Sequence, residues 1–130
     1  MSEVNLRPTQ AMISAAKKGL RLHEEGKSGD GLKPETVAWA RRVVNGDPLS
    51  EEKVRDMRAW FARHSKASVS PGWDKPGEEK PGYVAWLLWF GDAGKTWSEM
   101  KVAQLDKQKA EKRKFELLRK LAALVNKDHG

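Results

Sequence analysis

Residues 82–97 read GYVAWLLWFGDAGKTW, and whether this run is helix or strand decides the fold. Val84, Leu87 and Leu88, with Trp86 and Trp89 around them, are apolar nearly all round. That pattern suits a short helix buried at the centre of a small domain, and it also suits a buried strand. No second strand-like run exists for it to pair with, and Gly91 follows as a helix stop. The stretch therefore predicts a helix, with GDAG (91–94) as the turn after it. TWSE (96–99) reads as a capping box that opens the next helix, Thr96 serving as N-cap and Glu99 lying three residues on.

Upstream, Met12, Ile13, Ala16, Leu20 and His23 recur at helical spacing, and Gly26 stands where a left-handed C-terminal cap belongs. GKSGDGLK (26–33) follows as a connector. It lacks the G-x-x-x-x-G-K-[ST] order of a phosphate loop, and no apolar strand precedes it. A second helix starts at Pro34, carries Val37, Ala40, Arg41 and Val44, and ends at Gly46. A third has Ser50 as N-cap, with Glu51 and Glu52 in the first turn, where the helix dipole favours anions. Val54, Met57 and Phe61 form its apolar stripe, joined by Trp60 and Leu49. Residues 66–82, KASVSPGWDKPGEEKPG, hold three proline–glycine pairs and read as a loop. Trp73 in its middle is either a lid on the core or a contact residue for a partner.

Downstream of Trp97 no proline or glycine occurs before Gly130. A helix over that length reaches roughly 45 Å, longer than a domain of this size is wide, so part of it must project. DKQKAEKRKFE (106–116) is almost wholly polar. FELLRKLAALV (115–125) sets Phe115, Leu118, Leu121, Ala122 and Val125 on one side, a second apolar stripe that needs the core or another subunit. The fold class expected is all-α, a tryptophan-rich bundle of about four short helices over 1–95 and a long basic C-terminal helix over 96–130.

At 130 residues the chain has room for one core. Lysine and arginine outnumber aspartate and glutamate by 25 to 18, a net charge of +7. This balance suits an anionic partner, whether nucleic acid, an acidic protein surface or an anionic membrane, and it also serves simply to keep a protein soluble. No cysteine is present, which excludes disulfides, thiolate nucleophiles and cysteine-ligated zinc and fits a reducing compartment. MSEVNLRPTQ (1–10) has no signal-peptide layout. The longest apolar run, YVAWLLWF (83–90), is far short of the about twenty residues that span a bilayer. No membrane role and no signal-directed secretion are expected.

His23, His64 and His129 show no spacing that sets two metal ligands on one helical face, so neither a metal nor another cofactor is expected. Arg63 and His64 close the third helix, where positive charge suits the terminal carbonyls. His64 acting as a general base oriented by Asp92 requires their two loops to meet. Ser65, Ser68 and Ser70 lack a nucleophile-elbow context. Nucleic-acid binding has the stronger physical case. From Lys95 onward ten lysines and arginines face five acidic residues. Lys107, Lys109, Lys112, Arg113, Lys114, Arg119 and Lys120 on a projecting helix can neutralise several phosphates, with binding that weakens steeply with salt. A solvated face laced with Asp106, Glu111 and Glu116 explains the same residues. Arg63, His64 and Trp73 are candidate secondary contacts. Trp60, Trp73 and Trp97 offer stacking surfaces if exposed, or core packing if not.

KGL (18–20), GL (31–32), ETVAWARRVVNGDPLSEEKVRDMRAWFARH (35–64) and the opening stretch together resemble a small module of tailed-phage proteins, found alone or beside prohead-protease and head-assembly regions. Its pattern runs LS, then M..WF.RH, then AW.LWGGD.G..W. The matching positions are Leu49, Ser50, Met57, Trp60, Phe61, Arg63, His64, Ala85, Trp86, Leu88, Trp89, Gly91, Asp92, Gly94 and Trp97. Phe90 stands where the pattern has glycine. The resemblance spans about residues 18–97 and implies a phage origin, in the host cytoplasm or the virion, with an assembly or nucleic-acid-associated role rather than an enzymatic one. The expected function is non-enzymatic nucleic-acid binding through the C-terminal helix. The alternative is a virion-assembly or protein-interaction module in which Phe115, Leu118, Leu121 and Val125 pack against a partner, including a second copy of the chain.

Overall fold

The computed structural model describes residues 3–65 and 71–129. Five helices follow one another: α1 (Gln10–Glu24), α2 (Pro34–Val44), α3 (Glu51–His64), α4 (Pro81–Leu88) and α5 (Gly91–His129), with no strand among the described residues. The all-α expectation holds. α1 packs against both α2 and α4, and α3 lies along the first half of α5.

The local signals explain most of the boundaries. The Thr9 hydroxyl accepts from the Met12 amide at the start of α1, and the Ser50 hydroxyl accepts from the Lys53 amide at the start of α3. α1 closes with Gly26 at φ +81°, its amide donating to the His23 carbonyl while the Lys27 amide donates to Leu22. α2 closes the same way, through Gly46 to Val43 and Asp47 to Arg42. Both are Schellman caps, which satisfy carbonyls that the helix itself leaves open. The buried stripe of α2 is Thr36, Ala40 and Val43, a small rotation from the one the spacing predicted. Val37 and Val44 are half-buried, and Arg41 points to solvent.

The opening stretch is a helix, but the chain turns earlier than GDAG suggests. α4 ends at Leu88, Trp89 caps it, and the reversal falls on Phe90 (φ +81°) and Gly91 (φ +66°). α5 then begins at Gly91, so Thr96 and Glu99 lie inside a helix and form no capping box. The first turn of α5 already has Asp92 in the favourable anionic position, so no second start is needed at Thr96. Phe90 adopts the left-handed backbone that the pattern's glycine would take freely. That conformation costs a non-glycine residue about 1–2 kcal/mol, while the fully buried phenyl ring contributes about 1.5–3 kcal/mol. Burial offsets the strain.

Two glycines allow close approaches. A Cβ on Gly19 would lie 3.0 Å from the Leu87 Cβ and from the Leu88 backbone nitrogen, so α1 and α4 meet there backbone to backbone. A Cβ on Gly94 would lie 2.7 Å from the Trp89 carbonyl oxygen, which keeps α5 tight against the turn that starts it. The core between the helices includes Met12, Ala16, Val43, Val54, Met57, Phe61, Val84, Leu88, Phe90, Trp97, Val102 and Leu105.

Candidate functional site: an indole-lined groove and a cationic arm

α3 is two-sided. Val54, Met57 and Phe61 face the core, while Lys53, Asp56, Trp60, Arg63 and His64 recur at three, four, three and one along a neighbouring face. That second face forms one wall of a groove of about 700 Å³. Opposite it stand the start of α2, the outer side of α4 and the segments 28–33 and 71–82. Five of the six tryptophans line it, namely Trp39, Trp60, Trp73, Trp86 and Trp89. Trp97 does not, being buried in the core, so its stacking role is withdrawn.

The indoles hold one another. His64, Trp60 and Trp89 form a three-ring stack, with centroids 4.3 Å and 4.9 Å apart and planes 26° and 8° from parallel. Trp86 meets Phe61 edge-on at 4.7 Å and Trp73 at 5.6 Å. The Trp86 Nε1–H donates to Asp92 Oδ1 at 2.8 Å, which ties the groove to the first turn of α5. His64 Nδ1 bonds the Trp60 carbonyl at 2.7 Å, as a C-terminal capping residue should. His64 and Asp92 thus bind different partners, and the pairing a general base would require is not made. The two bordering segments are latched by Lys27 and Glu79 at 2.8 Å, and His23 Nδ1 holds Ser28 Oγ at 2.6 Å. The hydrogen bond between Lys27 and Glu79 raises the lysine pKa and lowers that of the carboxyl. Ser65 belongs to the described residues; Ser68 and Ser70 lie outside them.

Lys53 is the unexpected member. Only 6 % of its surface is exposed, and its ammonium sits 3.5 Å from the ring centroid of Trp89 and 5.7 Å from that of Trp39. Burial pushes its pKa down to about 8, against weaker opposing pulls from Asp56 and Glu35. The ammonium makes no ion pair or hydrogen bond among the described residues. Every other charged residue of the groove, including Asp30, Lys33, Glu35, Asp56 and Arg63, is exposed at the rim.

α5 leaves the body at the other end of α3. Trp97, Ser98, Val102 and Leu105 are buried, Arg55 pairs with Asp106 at 2.8 Å and Lys109 with Glu51 at 2.8 Å. Those contacts lower the Glu51 pKa, mainly through the Lys109 hydrogen bond. From Lys109 to Lys127 every residue is exposed, an arm of roughly 30 Å at 1.5 Å per residue. Residues 107–127 carry eight lysines and arginines against two glutamates, +6 of the net +7. Lys107, Lys112, Arg113, Lys114, Arg119 and Lys120 are all exposed and form no ion pair among the described residues. Lys109 is already committed to Glu51. Phe115, Leu118, Leu121 and Val125 are exposed as well, joined by Leu117 and Leu124, at 50–62 % each. At 100° per residue, Leu118, Leu121 and Val125 lie roughly 160–220° around the helix from Leu105. The apolar face therefore points away from the body.

The structure thus divides the candidate nucleic-acid contacts. Arg63, His64 and Trp73 gather at the groove; the lysines and arginines from 107 onward gather on the arm, beyond the opposite end of α3 and roughly 20 Å away along it. Compared with known proteins, the chain matches no family model, no curated protein and no solved structure. Among the described residues no cluster of three or more His, Cys, Asp or Glu side chains gathers to hold a metal, and no helix is long and apolar enough to cross a membrane.

Proposed function

We propose that this chain is a non-enzymatic nucleic-acid-binding protein that grips the phosphate backbone with its C-terminal arm, in the phage setting that its sequence pattern implies. The observation carrying this reading is the concentration of +6 of the net +7 on 21 residues whose lysines and arginines are all exposed and, Lys109 apart, form no ion pair among the described residues. Duplex DNA presents one charge per about 1.7 Å, so an arm of roughly 30 Å meets many phosphates and releases several counterions on binding. The test is a salt titration of labelled single- and double-stranded DNA and RNA. It compares the intact chain with a full-length variant carrying Lys112, Arg113, Arg119 and Lys120 as glutamine. Each lost phosphate contact should reduce the slope of log affinity against log salt by about 1. An unchanged slope refutes the reading and turns attention to an acidic protein surface.

The six exposed apolar side chains favour a second reading that is compatible with the first. Covering them on two copies removes on the order of 1,000–1,200 Å², near the lower bound of a stable specific interface. Leu118, Leu121 and Val125 lie on the side of the helix opposite the buried Leu105. Because each arm carries +6, pairing is opposed by repulsion, and salt should strengthen it while weakening nucleic-acid binding. Sedimentation at 0.1 M and 1 M salt distinguishes the two.

A further inference from the structure

The arm accounts for none of the groove, and the groove has the features of a ligand site. Its volume falls within the range of small-molecule pockets, about 300–1,000 Å³. Its only deeply buried charge is Lys53. The rim carboxylates Asp30, Glu35 and Asp56 and the rim cations Lys33 and Arg63 are solvated and largely cancel, whereas the Lys53 ammonium acts through indole and little water, where a charge is felt more strongly. A second feature points the same way. Lys33, the N-cap of α2, provides no side-chain cap, and Pro34 follows it, so the start of this 11-residue helix opens on the groove with its amides uncapped and only the exposed Glu35 of its first turn to offset its positive end. Lys53 and the α2 N-terminus are thus two independent attractions for an anion, set among half-buried indoles suited to a planar body.

The geometry points to a site for an unpaired nucleotide of a single strand, its phosphate held by Lys53 and the start of α2, its base against the half-buried indoles of Trp39 and Trp73, which lie outside the closed His64–Trp60–Trp89 stack. This rests on the nucleic-acid reading above and adds a second, distinct contact to it. Base stacking on aromatic side chains tolerates any base, because every base has a π-face. A phosphate on the Lys53 ammonium gives that charge the partner it lacks. Proton binding favours the same complex, because an anion beside Lys53 restores its charged form, so affinity should fall as pH rises past the lysine's pKa.

The experiment titrates the full chain with deoxyadenosine monophosphate, deoxyadenosine, inorganic phosphate and an acetylated aspartyl-tryptophan dipeptide, reading tryptophan fluorescence and calorimetric heat. The monophosphate should bind roughly ten- to a hundredfold more tightly than the nucleoside, the worth of a charge-assisted contact. Lys53→Met, which keeps the unbranched stem, should erase that difference. The four-glutamine arm variant should leave mononucleotide affinity unchanged while weakening long strands. Equal affinity for nucleoside and monophosphate, or monophosphate binding unaltered in Lys53→Met, overturns the proposal even where the arm still binds long strands. So does preferential binding of the dipeptide, which assigns the groove to peptide carboxylates. Loss of long-strand binding in the arm variant with mononucleotide binding retained supports both readings separately.

Discussion

Replacing Lys53 with methionine should make the protein more stable. In the native chain the lysine pKa falls from 10.5 to about 8 because the ammonium is buried, and a shift of that size corresponds to a destabilisation on the order of 3 kcal/mol at neutral pH. That shift is already net of the attraction of the Trp89 face 3.5 Å away. The gain for Lys53→Met at pH 7 is therefore on the order of 3 kcal/mol, a Tm increase of roughly 10 °C. The pH dependence follows from proton counting. Below pH 8 the folded and unfolded chains both hold the Lys53 proton, and the penalty is complete. Between about 8 and 10.5 the unfolded chain binds more protons than the native one, so the wild type gains stability as pH rises and the advantage of the variant shrinks. The carboxylates that act on Lys53 are Asp56 on α3 and Glu35 on α2. Urea denaturation at intervals from pH 6.5 to 9.5 measures the effect. A variant that is less stable at pH 7, or one whose stability follows the same pH slope as the wild type, refutes the argument.

Gly94→Ala should destabilise by about 1–3 kcal/mol despite the better helix propensity of alanine, since its Cβ would meet the Trp89 carbonyl at 2.7 Å and the Phe90 Cβ at 2.9 Å; chemical denaturation reads it. Phe90→Gly places a glycine at the left-handed position (φ +81°) and relieves about 1–2 kcal/mol of backbone strain. It also removes a buried phenyl worth about 3–5 kcal/mol, so a net loss of stability is expected, and a gain would show that the ring contributes little. Asp92→Ala leaves the buried Trp86 Nε1–H without its acceptor, a loss of about 1.5–3 kcal/mol, and it should change tryptophan fluorescence in the native protein.

Helix content, the Thr9 cap apart, was legible because it rests on local rules: Ser50 before two glutamates, Gly26 and Gly46 after apolar repeats, and an unbroken stretch after Trp97. The start of α5 was misplaced because the TWSE spacing satisfies a capping box on paper, while the actual reversal uses a phenylalanine in a left-handed conformation that no propensity scale favours. The arm was legible from its charge and from the length of the uninterrupted helix. The groove was not. Its residues come from 28–33, α2, α3, the Trp73 segment and α4, and only folding brings them together. One signal was present: Lys53 adjoins Val54 on a helix whose core face runs Val54, Met57, Phe61, and a lysine there must either reach solvent or be covered. What covers it is a set of tryptophans distant in sequence, each of which looks like ordinary core when read alone.

The unfavourable placement of Lys53 bears on how the two sites relate. A chain that needed only a polycation to hold nucleic acid has it in the arm, where charges are exposed and cost little. It has no structural use for an ammonium set among indoles, since a methionine would fill the same space without the desolvation penalty. Nor does the three-ring stack of His64, Trp60 and Trp89 need the lysine beneath it. The same side chain becomes favourable once an anion enters the groove, because the cost of burying the charge has already been met in the free protein and the ligand collects the whole attraction. On the proposed reading, arm and groove divide the work by physics: the arm supplies salt-sensitive attraction over a long reach, and the groove supplies a short-range contact to the buried Lys53. α3 separates them by roughly 20 Å, so a strand engaging both must run along the body. Its affinity should depend on length in a step, absent for oligomers too short to bridge the two ends of α3 and present once they can.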